Sequence, residues 1–135
     1  FMAERGKQIP GGAVLAAQHR GMTLRRRMAE WWAEEHDLLL APTCLRPAPL
    51  LGEMSGTADD PMAGVEVTLA YSTLTSPFNT TGQPAISLPL GRSGTGLPIG
   101  IQLVAAYGRE ELLLQVAHQL EGVVRWADER SPLHP

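Results

Sequence analysis

Few side chains in this 135-residue sequence are suited to covalent, acid–base or metal chemistry. The four histidines, His19, His36, His118 and His134, stand apart: no pair has the spacing that sets two imidazoles on one helix face, and none lies beside a second cysteine. No metal site is expected. Cys44 is the single cysteine, which rules out an internal disulfide. A thiolate nucleophile needs a base, its sequence neighbours supply none, and a cysteine directly after an apolar run reads as a buried structural residue. Asp59-Asp60 is a carboxylate pair, but its setting among Gly, Pro and Ser reads as a solvated loop tip rather than an acid–base dyad. Gly91-Arg92-Ser93-Gly94-Thr95-Gly96 has the glycine density of a phosphate loop without the Gly-Lys-Ser/Thr ending, and no helix follows at once. It reads as a hairpin turn that uses glycine for positive φ.

The elements that must position any site are legible in outline. Residues 13–35 read as a long helix with Leu24, Met28, Trp31 and Trp32 on one stripe, started by Pro10, Gly11 and Gly12. Trp31 and Trp32 are adjacent, so only one points squarely inward. Arg25, Arg26 and Arg27 span nearly a full turn and read as a solvated rim. The run Asp37-Leu38-Leu39-Leu40-Ala41 before Pro42 suits a strand buried on both faces, as in a parallel sheet covered by helices. A long Pro- and Gly-rich loop follows, over residues 43–61. A helix is expected from about Thr68, broken near Ser76 by Pro77, then a helical turn into Gly82. Residues 84–90 and 98–105 read as strands. The seven residues between them permit an antiparallel hairpin, whereas a parallel crossover needs about a dozen or more. Residues 110–124 form a last helix, with Leu112, Leu113, Val116, Leu120, Val123 and Val124 as its buried face. Residues 1–12 are a lead-in and 126–135 a tail.

This order gives an α/β fold with about three strands and three to four helices. Three strands with so little helical cover suggest a part of a larger sheet. A composition of 44% hydrophobic and 19% charged residues fits a globular chain rather than a disordered one. The net charge of −3 gives no global attraction to nucleic acid or an anionic membrane, and no apolar run reaches the ~18 residues of a transmembrane helix. The first residues carry Glu4, Arg5 and Lys7 and no apolar signal core, so the cytoplasm is the expected compartment. The opening Phe1 hints that upstream sequence is missing.

The most informative stretch is Tyr71-Ser72-Thr73-Leu74-Thr75-Ser76-Pro77-Phe78-Asn79-Thr80-Thr81-Gly82-Gln83-Pro84-Ala85-Ile86-Ser87-Leu88-Pro89. Its hydroxyls suit turns tied by side-chain to backbone hydrogen bonds. Thr75, Pro77, Asn79, Gly82, Pro84, Ala85, Ser87 and Pro89 fit the pattern T-x-P-x-N-x-x-G-x-P-A-x-S-x-P, which resembles the C-terminal hallmark of the amidase signature family. Gly96-Leu97-Pro98-Ile99-Gly100-Ile101-Gln102 resembles the family's next strand, and Gly108-Arg109-Glu110-Glu111-Leu112-Leu113-Leu114 the start of its last long helix. Asp37-Leu38-Leu39-Leu40-Ala41-Pro42-Thr43 and Pro47-Ala48-Pro49 resemble an earlier strand and loop.

The resemblance implies one α/β/α domain with a mixed sheet, of which this chain is the C-terminal segment. It implies hydrolysis of amides by a Ser nucleophile, a bridging Ser and a Lys base, all from the family's N-terminal half. Lys7 is the only lysine, no Gly-Gly-Ser-Ser segment accompanies it, and none of Ser55, Ser72, Ser76, Ser87, Ser93 and Ser131 matches a catalytic position. No catalytic residue is therefore assigned. Glutamine-using members resemble D-x-x-T-x-P-x-N, with Asp where this chain has Ser72, which turns the expectation toward a general amide hydrolase. Ser72, Thr75 and Ser76 are the expected substrate-binding residues, set against the possibility that their hydroxyls only tie the turn. The implied partners are a small-molecule amide, met through the complete enzyme, and the missing N-terminal portion. No cofactor, nucleic acid or membrane is implied, and exposed strand edge gives scope for self-association. A non-catalytic binding or assembly module is the rival expectation.

Overall fold

A computed structural model describes residues 2–129; Phe1 and residues 130–135, including Ser131, His134 and most of the expected tail, lie outside the described residues. The elements run α1 (Met2–Lys7), α2 (Gly11–Ala33), β1 (Leu39–Pro42), α3 (Val65–Ser72), α4 (Ser76–Thr81), β2 (Ala85–Arg92), β3 (Pro98–Val104) and α5 (Glu110–Val124), closed by a 3-10 turn at Trp126–Asp128. The sheet has the order β1-β3-β2 and is antiparallel at both pairings. β2 and β3 form the expected hairpin. Its turn is closed by Ser93 N–H to Leu97 carbonyl at 2.8 Å and uses Gly96 at φ 84°.

Register decides which residues share a face, because side chains alternate along each strand. Leu40, Leu103 and Ile86 are aligned on one face, and Ala41, Gln102 and Ser87 on the other. The first face packs on α5: Leu88, Leu103, Ala105, Leu113 and Ala117 form the buried core, with Ile86, Leu90, Val116 and Leu120 against it. On the second face Gln102 and Val104 are buried, and Gln102 Nε2 donates to the Leu74 carbonyl at 3.1 Å, at the junction of α3 and α4. Helices therefore lie on both sides of the sheet, the α/β/α layering.

Several expectations are corrected. β1 is an edge strand with alternating burial and an antiparallel partner, not a strand buried on both faces of a parallel sheet; Leu40 is 67% exposed because α5 lies against β2 and leaves β1 bare. Val123 and Val124 are exposed. The left-handed Arg125 ends α5 and brings Trp126 onto the core in their place. Cys44 is half-buried rather than buried, because it lies past the end of β1. Trp32 is the inward tryptophan, in edge-to-face contact with Trp31 at 4.7 Å, and Trp31 stacks on His36. Part of the lead-in is helical, as α1.

The accessible surface is 10012 Å² for 14.6 kDa. A compact monomer of that mass exposes roughly 6,900 Å². Much of the excess lies on α2, where residues 11–20 are all exposed, and on the 43–61 loop, where Leu50 and Leu51 stand in solvent.

Candidate functional site

The motif stretch folds as two short helices meeting at a knot of hydroxyls. Pro77 cannot donate a backbone hydrogen bond, so the chain leaves α3 and restarts as α4, with Pro in the first turn where its missing N–H costs nothing. Ser72 Oγ donates to the Thr68 and Leu69 carbonyls at 3.4 and 3.3 Å. Thr75 Oγ1 and Ser76 Oγ both donate to the Ser72 carbonyl, at 3.2 and 2.7 Å. The three expected substrate-binding residues are thus brought together by the backbone of one turn. Each hydroxyl spends its single proton on a carbonyl, leaving lone pairs that can accept from an N–H but no proton to give.

α4 ends at Gly82, whose φ of 82° allows the left-handed turn and whose N–H bonds the Phe78 carbonyl at 2.7 Å. Thr81, next to it, is buried, donates to the Pro77 carbonyl at 2.9 Å and lies against the side-chain amide of buried Gln83. Arg25 Nε reaches from α2 to the Thr81 carbonyl at 3.0 Å. Arg25 is therefore a tie between helices, a correction to its reading as solvated rim. Arg25, Thr81, Gln83 and Gln102 are the positioning residues that sequence reasoning missed. The available signal was two glutamines inside apolar, strand-like surroundings, where a polar side chain needs a buried partner.

Two clefts flank this knot. One, of about 440 Å³, is lined by Arg25, Ala29, Trp32, Thr81, Gln83, Ala106 and Tyr107. The other, of about 490 Å³, lies between the sheet and the 43–49 loop and includes Thr43, Cys44, Tyr71, Ser87 and Gly100. Tyr71 Oη donates to the Pro47 carbonyl at 2.5 Å and pins that loop beside the motif. Across the floor, Thr43 Oγ1 and Ser87 Oγ are 2.5 Å apart and pass over Gly100. A Cβ on Gly100 would stand 2.8 Å from Ser87 Oγ and 2.9 Å from Thr43 Oγ1. Gly100→Ala is therefore expected to cost about 1–3 kcal/mol by overpacking. Gly94→Ala, with nothing within 4 Å, is the neutral control, and adding Ser87→Ala to Gly100→Ala should recover part of the loss in urea melts.

The hydroxyls have no base. Ser72, Ser76, Ser87 and Ser93 are bonded to carbonyls or to other hydroxyls. Lys7, the sole lysine, is exposed on α1 and paired with Glu4 at 2.6 Å. His36 Nδ1 lies 2.8 Å from the Trp31 carbonyl, which can only accept, so that nitrogen donates. Asp60 Oδ1 accepts from Met62 N–H at 3.0 Å, a turn contact. Among the described residues no group of three His, Cys, Asp or Glu could hold a metal ion.

The Amidase family model matches residues 4–114. The chain belongs to the amidase family. It is 43% identical to a 6-aminohexanoate-cyclic-dimer hydrolase from Pseudomonas sp. (strain NK87), over 98% of this chain and 28% of that protein. A glutamyl-tRNA(Gln) amidotransferase from Synechococcus sp. (strain RCC307) is 48% identical over 73% of this chain and 19% of the matched polypeptide. A solved structure of 6-aminohexanoate cyclic dimer hydrolase superposes with a TM-score of 0.86 at 42% identity, covering 98% of this chain and 28% of that one. The amidase chain thus spans little more than a quarter of the relatives it matches along almost its whole length.

Proposed function

We propose that this chain is the C-terminal portion of an amidase that hydrolyses a carboxylic amide C–N bond, and that it builds the substrate-side wall without supplying the reacting groups. The observation that carries this reading is the hydroxyl knot at Ser72, Thr75 and Ser76: it is aligned on the family motif, yet its donors are committed to backbone carbonyls. The lone pairs of these hydroxyls suit acceptance from an amide N–H. The nucleophile, bridging serine and lysine belong to an upstream portion. The excess surface and the Trp32 indole N–H, buried without an acceptor, fit a chain that a larger body completes. Its expected site of action is the cytoplasm, and no described helix is long and apolar enough to cross a membrane.

Ser72 in place of the carboxylate of glutamine-using members favours an uncharged linear amide, small or aryl, over glutamine. A cyclic amide is the second reading, favoured by what the 43%-identical relative is named for.

The isolated chain is expected to release neither ammonia nor primary amine from aliphatic, aryl, cyclic or glutamine amides, and to self-associate in light scattering through its exposed apolar surface. Turnover that survives repurification would place a catalytic centre within these residues and overturn the proposal. Joined to an upstream portion carrying the two serines and the lysine, the same chain should support hydrolysis.

A further inference from the structure

The two edges of the sheet differ in a way that says where the rest of the molecule joins. Thr43 N–H bonds the Gly100 carbonyl, and Ala105 N–H bonds the Pro84 carbonyl. Bonding alternates residue by residue along an antiparallel ladder, so Leu40 turns its N–H and C=O outward from β1, while Ala85 and Ser87 turn theirs outward from β2. The β2 edge is blunted. Pro84 precedes it, and Pro89 lies in an irregularity between Leu88 and Gly91. The β1 edge has no such break before Pro42, which still offers its carbonyl. Among the described residues no strand pairs there. Beside that edge the apolar face is also bare: Leu103 is buried under the core, but its register partner Leu40 is 67% exposed.

We infer that β1 is the seam at which the remaining portion of the amidase joins: a strand of that portion pairs along the outer edge of β1, and the element beside it covers Leu40. This rests on the reading of the chain as one portion of a longer amidase. The occupant follows from size. The surface excess over a compact monomer is several times the ~800 Å² that one partner contributes to a standard interface. A second copy docked through one patch leaves most of it exposed, whereas a body of the size the relatives possess beyond this chain encloses it. The β2 edge is then a true margin of the sheet.

The test co-expresses the 135-residue chain with a tagged Pseudomonas 6-aminohexanoate-cyclic-dimer hydrolase from which the segment this chain matches has been removed. Two readouts are taken: recovery of the chain on the tag, and amide hydrogen exchange in the complex against the chain alone. Exchange at Leu40 should slow by about tenfold or more, with Ala85 and Ser87 unchanged. Leu40→Pro removes the outward N–H and spares the ladder to β3, and should cut recovery by about tenfold or more. Leu40→Val and Ala85→Pro should not. Exchange on the unmutated chain keeps the test decisive if Leu40→Pro fails to fold. A complex with no protection at Leu40, protection at Ala85 and Ser87 instead, no complex at all, or Leu40 protection that appears in the chain alone with rising concentration would each overturn the seam. Hydrolysis is scored separately. A complex protected at Leu40 that cleaves no amide leaves the seam standing and sinks the activity, and active complex without that protection does the reverse.

Discussion

Leu103→Ala should destabilise the chain by about 3–5 kcal/mol, the largest single effect expected for an apolar truncation here. Leu103 is 3% exposed at the centre of β3 and packs with Leu88, Ala105, Leu113 and Ala117, where strand and α5 meet. Two of those neighbours are alanines, too short to close over the cavity. Only seven apolar side chains are buried among the described residues, so few others can move in to fill it. Loss of this size is a large part of the 5–15 kcal/mol that holds an ordinary domain together. With a urea slope of about 1–3 kcal/mol per molar, the midpoint followed by circular dichroism should fall by more than about 1 M. Leu51→Ala, at a fully exposed leucine, should stay within about 0.5 kcal/mol of the parent. Equal shifts for the two variants would mean that the contact of α5 with the hairpin is not what holds the fold.

The features read correctly from sequence are those fixed by local chemistry. The hairpin follows from a short glycine-rich link, the break at Ser76 from Pro77, and α5 from its apolar period and its glutamates in the first turn. What failed depends on neighbours. A run of three leucines reads alike in a central parallel strand and in β1, because burial comes from what lies alongside, and here nothing described does. Val123 and Val124 have the right period for the core, but Trp126 reaches it first. Arg25 and Gln102 were invisible as ties because their partners, the Thr81 and Leu74 carbonyls, lie 56 and 28 residues away. The knot at Ser72, Thr75 and Ser76 was half legible: hydroxyl density signalled a turn, while the direction of each proton needed coordinates.

Gly82→Ala should cost about 2–4 kcal/mol, and the reason separates two effects that a motif glycine can carry. The first is backbone. A φ of 82° puts an L-residue in the left-handed region, worth roughly 1–2 kcal/mol. The second is space. The new Cβ would lie 2.9 Å from Arg25 Nη2 and push the guanidinium off the Thr81 carbonyl, forfeiting a charge-assisted hydrogen bond of about 1.5–3 kcal/mol in part. Gly108 supplies the control: its φ is 78°, but a Cβ there meets nothing within 4 Å, so Gly108→Ala should show the backbone cost alone. A double-mutant cycle in urea then isolates the contact. In an Arg25→Ala background, Gly82→Ala should cost no more than Gly108→Ala does in the parent. An undiminished cost there would mean that Arg25 does not hold α2 to α4, and that the glycine of the motif is required by its backbone alone.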